Sequence, residues 1–281
     1  MHGLNEGMTN KVTVIIPNWN GMEWLEGCLQ SLGNQTLRGF ETLIVDNGST
    51  DGSLEFIDAN YPQVTVIRLD RNTGFANAAN VGIRESKTPY VALLNTDTRV
   101  YPDWLSNLLQ RMEDSPPDVA AINPQILKMD DPDQLDDAGD ELTWYGLAMK
   151  TGHGQPAKNF GEETEVFSPC AGASLYRRDF LQHTGGFDAS FFAYLEDVDL
   201  GFRGRLMGYR YLYLPSAKVL HKSHGSNLPQ AKYIELTMRN RLMLFAKNVP
   251  LSLLLRRAPK LIYGQWYFLV AQGRPLAAFK G

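Results

Sequence analysis

VTVIIPNWNGMEWLEGCLQSLGNQTLRGFETLIVDNGSTDGS, residues 12–53, sets a helical segment between two short apolar runs. The runs at 12–16 (VTVII) and 42–45 (TLIV) are rich in β-branched residues and bounded by turn formers, the pattern of buried strands. Between them Trp24, Cys28 and Leu32 recur at helical spacing. The alternation continues outward. Strands are expected at 64–69 (VTVIRL) and 90–94 (YVALL), and helices are marked by Leu54 and Ile57, then by Ala76, Ala79 and Ile83. Such a chain builds an α/β domain, Rossmann-like, on a mostly parallel central sheet flanked by helices. Ligands of these sheets lie beyond the carboxyl ends of the strands, so polar residues directly after them are the first candidates for function.

From about Met129 to Ser168 the apolar period fades and Gly, Asp and Pro dominate, as in DDPDQLDDAGDE (130–141) and TGHGQP (151–156). A long functional loop or lid is expected there. Order returns with AGASLYRRDFL (171–181) and with FFAYLEDVDLGFRGRLMGY (191–209), where Val198, Phe202 and Leu206 share one helical face. Two strands, YRYLYL (209–214) and AKVLH (217–221), close the domain.

A chain of 281 residues, 43% apolar and 21% charged, can bury a large core. Its net charge of -4 excludes a protein that coats nucleic acid, because phosphate-driven binding needs a basic face. The charge is unevenly spread. From Leu236 onward stand Arg239, Arg241, Lys247, Arg256, Arg257, Lys260, Arg274 and Lys280, with no Asp or Glu. Leu runs, Trp266 and several Tyr and Phe accompany them, as in an amphipathic segment lying on an anionic membrane surface. A dimerisation helix pair is the alternative. No apolar stretch reaches the roughly 20 residues of a spanning helix. Cys28 and Cys170 are too few for a disulfide framework or a zinc site, and the polar MHGLNEGMTN start has no signal core. A cytoplasmic protein, peripheral on the inner face of the membrane, is expected.

Each strand end carries a motif. PNWNG follows the first strand, and VDNGSTDGS puts Asp46 at the end of the second, where a carboxylate can accept from a base or ribose. RNTGFANAANVG places Gly74 at a helix start, where free N–H groups favour a phosphate. In LLNTDT, Asn95 and Asp97 are two residues apart; on an extended segment both side chains would face one diphosphate-bound cation.

Taken together, PNWNG, VDNGSTDGS, NTGFANAANVGI, LLNTDT, GGFDASFFAYLEDVDLGFR and the later His221 resemble the family 2 inverting glycosyltransferases of GT-A fold, especially bacterial rhamnosyltransferase-like members. The resemblance runs from about Lys11 to His224. It implies that Pro17, Asn18, Asp46 and Asn47 hold the nucleoside, that Gly74 and Asn80 lie beneath the diphosphate, and that Asn95 and Asp97 form the metal motif. Asn95 departs from a strict D-x-D, which should weaken the metal site. By the same resemblance Asp197 is the general base for the acceptor hydroxyl, with Glu196 as fallback. His221 joins Asp97 and Asn95 as a ligand of manganese or magnesium, with His224 as local competitor.

The donor would be a dTDP-, UDP- or GDP-linked sugar, with rhamnose implied by the resemblance. The acceptor would be a hydroxyl of a glycan or lipid-linked molecule in cell-surface polysaccharide synthesis. The expected organisation is a flexible N-terminus (1–10), a GT-A domain (11–235) with a nucleotide-sugar part (11–128) and an acceptor-side part (129–235), and a basic amphipathic helical tail (236–281). The residues alone leave two alternatives: a nucleotidyltransferase, although PNWNG is no activating loop, and a non-catalytic nucleotide-sugar-binding or scaffold protein. The G-x-G-x-x-G of a nicotinamide enzyme is absent.

Overall fold

The computed structural model describes residues 10–222 and 228–272. Its first half alternates as the sequence suggests: β1 (Val12–Asn18), α1 (Met22–Gly33), β2 (Glu41–Asp46), α2 (Ser53–Asn60), β3 (Thr65–Arg68), α3 (Phe75–Glu85), β4 (Tyr90–Leu93), β5 (Thr98–Val100), α4 (Trp104–Glu113) and β6 (Val119–Lys128). Then follow β7 (Leu135–Asp137), β8 (Asp140–Leu142), β9 (Ala148–Lys150), β10 (Thr164–Val166), β11 (Leu175–Arg177), α5 (Arg178–His183), α6 (Glu196–Leu206), β12 (Arg210–His221), α7 (Gln230–Asn248) and α8 (Leu251–Gln272).

The main sheet runs β10-β12-β6-β11-β4-β1-β2-β3. β1 pairs parallel with β2 and β4, β2 with β3, and β6 with β12, while β11 lies antiparallel between β4 and β6. Both faces are covered. Val14 and Ile16 of β1 point into one apolar cluster with Leu25, Leu29 and Trp104, while Ile15 points into the other with Ala79 and Phe180. This double burial explains why the strands read as continuous apolar runs. The chain leaves β1 toward β2 on one side and reaches β4 on the other, so a crevice opens at the carboxyl ends of β1 and β4.

Four sequence expectations change. The 129–168 stretch is not an open loop: β7 pairs with β6, β8 with β9, and β10 with β12. Three-residue strands are too short to show a period. The two closing strands are one, β12, with an irregularity between Leu214 and Lys218, where Pro215 supplies no N–H. Leu206 does not share the buried face of Val198; it ends α6 and is exposed. Finally, the boundary at 235/236 falls inside α7, whose side chains Ile234, Leu236, Asn240 and Leu244 are buried. Residues 1–9, 273–281 and His224 lie outside the described residues.

α8 packs back on the domain. Leu253, Leu254 and Leu261 meet Leu244 and Phe245 of α7, and Phe268 meets Ile234 and Met238. Gly264 sits against the turn between β8 and β9 so closely that a Cβ there would collide with the Tyr145 carbonyl oxygen. The outward side is apolar and aromatic, with Leu251, Leu255, Ile262, Tyr263, Trp266, Tyr267 and Val270 exposed. Among the described residues no helix is long and apolar enough to cross a membrane.

Candidate active site

A cavity of about 500 Å³ opens at the crevice between the ends of β1 and β4. Its donor-side wall is a set of turns tied by side-chain amides. Asn18 Nδ2 donates to Asp46 Oδ1 at 2.8 Å and to Ser53 Oγ at 3.0 Å, and the Ser49 N–H donates to Asp46 Oδ2 at 3.0 Å. Asn47 reaches across to the next turn, donating to Asn72 and to the Gly74 carbonyl and accepting from the Thr73 N–H. Pro17, Asn18, Asn47 and Gly74 line the cavity. Asp46 does not: its side chain is fully buried and braces the wall from behind.

Two further donor expectations are corrected. Asn80 forms a paired contact with the Phe187 backbone, donating to its carbonyl at 2.7 Å and accepting from its N–H at 2.9 Å, and is absent from the cavity wall. Its role is to hold α3 to the segment before α6. At the start of α3 the Gly74 N–H is taken by Asn72 Oδ1 and the Ala76 N–H by the Phe192 carbonyl. Gly74 has φ 87°, and a Cβ there would strike that same carbonyl oxygen. The glycine is needed to let residue 192 approach, not to free an amide for phosphate.

Asn95 and Asp97 both line the cavity, but from a turn rather than an extended strand; Thr98 Oγ1 closes it on the Asn95 carbonyl at 2.6 Å. The Asn95 amide therefore lies along Gly172, and Asp97 faces His221 at the end of β12, with Nε2 to Oδ2 3.4 Å. The opposite ring nitrogen, Nδ1, is 2.8 Å from Asp136 Oδ2. A carboxylate behind a histidine fixes the ring and aims the other nitrogen outward. Burial works against the His221 cation, yet its hydrogen bonds to Asp136 and Asp97 raise it to about 9. Burial alone would raise Asp136; the His221 hydrogen bond and the Lys150 charge, with Nζ 2.7 Å away, hold it well below the carboxylate range.

Among the described residues no three His, Cys, Asp or Glu side chains form a metal cage. One carboxylate oxygen and one oriented imidazole nitrogen side by side fit a cation that displaces the Nε2 proton and takes its remaining ligands from phosphate and water, as magnesium and manganese do.

Asp197 lines the same cavity as Asp97. Its Oδ2 accepts from the Ala171 N–H at 3.1 Å and its Oδ1 from its neighbour Val198 N–H at 2.9 Å, which fixes the carboxylate on the wall. Burial raises its pKa, with the two amide hydrogen bonds and Lys150 opposing. Glu196 also lines the cavity, but burial and then the charge of Asp197 push its pKa well above the usual range, which disfavours its carboxylate form. Glu196 is the poorer base of the two.

The backbone before Asp197 is strained. Phe192 (φ 66°, ψ -68°) forms a γ-turn closed by the Ala193 N–H on the Phe191 carbonyl at 2.8 Å, and Tyr194 and Leu195 also have positive φ. Asn240 of α7 holds this segment, its Nδ2 lying 2.9, 2.9 and 2.7 Å from the carbonyls of Phe191, Ala193 and Tyr194. Asp199 adds a second tie. It is fully buried and accepts from Arg203 of its own helix and from Lys247 and Asn248 of α7, so the pair with Arg203 is more than a surface i,i+4 contact.

Sequence reasoning missed Asp136, Asp137, Asp140 and Lys150, although they stand in the quoted acidic run and just after it. It also missed Asn240, whose only sequence signal is a polar residue on the buried face of a helix.

Comparison with known proteins follows the same outline. The model of the family described as Glycosyl transferase family 2 matches residues 13–185. An N-acetylglucosaminyl-diphospho-decaprenol L-rhamnosyltransferase of Mycobacterium tuberculosis is 29% identical over 254 residues, covering 81% of each chain. A teichoic acid poly(glycerol phosphate) polymerase of Staphylococcus epidermidis is 31% identical over 131 residues, 43% of this chain; the chain spans only 18% of that relative. A solved mannosyltransferase from Pyrobaculum calidifontis, in complex with GDP-Man and Mn2+, superposes with a TM-score of 0.61 at 17% identity, over 97% of this chain and 73% of the other. At that identity the likeness shows the fold.

Proposed function

Because the chain belongs to glycosyl transferase family 2, we propose that it transfers a sugar, with inversion and with help from a divalent cation, from a nucleotide sugar to a hydroxyl of a lipid-linked or glycan acceptor. The observation that carries this reading is that Asp97, paired with His221, lines the same cavity as Asp197 at the carboxyl end of the sheet.

Asp97 and His221 are the residues to hold the cation, with Asn95 beside them. Held by these residues, a cation would offset the negative charge of the departing diphosphate. Asp46, Asn18 and Asn47 keep the donor-side turns in shape, and Pro17 and Asn18 offer the wall for the nucleoside. In the displacement the acceptor oxygen bonds to the anomeric carbon as the carbon–oxygen bond to phosphate breaks. Asp197 takes the hydroxyl proton. Its raised pKa suits this task, since a base works best with a pKa near the working pH.

The rhamnosyltransferase relative, whose length the chain largely covers, favours a lipid-diphosphate acceptor and a rhamnose donor. A peripheral position on the inner membrane face fits the exposed Trp266, Tyr263 and Tyr267 with Arg256 and Lys260 nearby. Product stereochemistry tests the mechanism: NMR of the new glycosidic bond should show the anomeric configuration inverted from the donor, and retention would rule out single displacement.

A further inference from the structure

α7 turns two polar side chains toward the cavity that nothing in the described chain satisfies. Thr237 and Arg241 stand one helical turn apart, both line the cavity, and both are buried, at 5% and 7% exposure. Thr237 Oγ1 and Arg241 Nε and Nη1 have no hydrogen-bond partner. The guanidinium lies 3.7 Å from the centre of the Phe268 ring on α8, itself buried. Burial brings Arg241 down to about 10, which leaves it charged at neutral pH.

Among the described residues no carboxylate forms an ion pair with it. No Asp or Glu follows Glu235 in the sequence, the 223–227 segment (SHGSN) has none, and the carboxylates that share the cavity, Asp197 and Glu196 among them, make no ion pair with Arg241. A buried, unpaired cation is unfavourable in the free protein and becomes favourable when an anion meets it. Elsewhere on the wall the unpartnered atoms, Asn18 Oδ1, Asp137 Oδ2 and Glu196 Oε2, belong to amide or acidic groups, and among the described lining residues Arg241 is the cation without an ion-pair partner. Asp197 and Lys150 have partners for their charges, as does the Asn18 amide nitrogen.

We propose that Arg241, with Thr237 beside it, binds a phosphoryl group at the α7 side of the cavity. A planar guanidinium can give two parallel N–H bonds to phosphate oxygens, and the threonine hydroxyl can donate a third. The inference rests on the glycosyltransferase reading for its two phosphate sources: the donor's diphosphate and a phosphorylated acceptor. Arg241 also explains part of the basic tail composition. Its charge is directed into the cavity rather than toward a membrane.

The test is calorimetry of inorganic pyrophosphate binding to the full chain with chelator present, so that no divalent cation contributes. Wild type should bind, and Arg241→Met should bind at least about tenfold more weakly. The ligand-free melting temperature of Arg241→Met should equal or exceed that of wild type, because an unpaired buried charge is removed. If this variant does not fold, Arg241→Lys and Thr237→Val carry the same measurement, each with weaker binding expected. Equal affinity in variant and wild type, or no pyrophosphate binding by wild type, overturns the proposal. Nucleoside diphosphate binding with Mn2+ then assigns the source: a loss in step with pyrophosphate points to the donor, and a smaller loss points to the acceptor. Failure of the family reading shows separately, as a wild type that releases no nucleoside diphosphate from any nucleotide sugar.

Discussion

The two walls of the cavity are built on different principles. On the donor side, Asn18, Asp46, Ser49 and Ser53 satisfy one another within two turns, and Asn47 ties them to a third. On the α6 and α7 side the backbone is strained at 192–195, and Glu196, Thr237 and Arg241 keep polar atoms without partners. A wall cross-tied by this many internal hydrogen bonds is formed before its ligand arrives. A wall that holds strain and open valences draws its order from its neighbours and from what binds. On the proposed mechanism, the contrast assigns recognition to the strand ends and chemistry to the start of α6.

The sharpest way to break this division is at Asp197. Asp197→Asn keeps size and shape but removes the base, and transfer should fall by on the order of 100- to 10,000-fold while calorimetric donor binding persists. Near-normal transfer would move the base elsewhere. In wild type the acid limb of the rate profile should lie above the ordinary aspartate range. Burial raises the pKa of Asp197, and activity is lost as pH falls through that raised value.

Asn240→Ala probes the strain without touching the cavity chemistry. The carbonyls of Ala193 and Tyr194 lose the Asn240 amide, while that of Phe191 keeps the Ala193 N–H and Arg239. The fold should lose about 1–3 kcal/mol, and transfer should drop on the order of 100-fold through misplacement of Asp197. A fall in melting temperature with an unchanged kcat would show that the segment keeps its shape unaided.

How far these features could be read from sequence differs between the walls for the same physical reason. The strands and the motifs after them were legible because β1, β2 and β4 are buried on both faces and end at the site. Asp46 was placed correctly at the end of β2, but not its burial, which depends on Asn18 from another strand. Asp136 and Lys150 were hidden because β7 and β9 are three residues long and owe their existence to pairing with β6 and β8. The fold also divides the charges of the basic tail. Arg239 bonds the carbonyls of Ser190 and Phe191, Lys247 pairs with Asp188 and Asp199, and Arg241 is buried, so three of α7's four basic side chains, with Lys232 the fourth, are engaged within the domain.

That division changes how the membrane proposal is tested. Removing α8 would uncover Leu244, Phe245 and Phe268's neighbours Ile234 and Met238, so surface substitutions are the cleaner probe. Lys260→Gln should weaken binding to anionic vesicles about fivefold at low salt, the equivalent of roughly 1 kcal/mol, with the difference shrinking at high salt. Trp266→Ser should weaken it at both. A chain that ignores such vesicles at low salt but runs as a dimer would make the exposed face of α8 an oligomer contact.

The most direct measurement is release of nucleoside diphosphate from a panel of UDP-, GDP- and dTDP-sugars, with Mn2+ and with chelator, by wild type and by Asp97→Ala. Manganese-stimulated release from at least one donor is expected for wild type, and its loss is expected in Asp97→Ala. No release from any donor, or release that is the same in Asp97→Ala, would contradict nucleotide-sugar chemistry centred on Asp97.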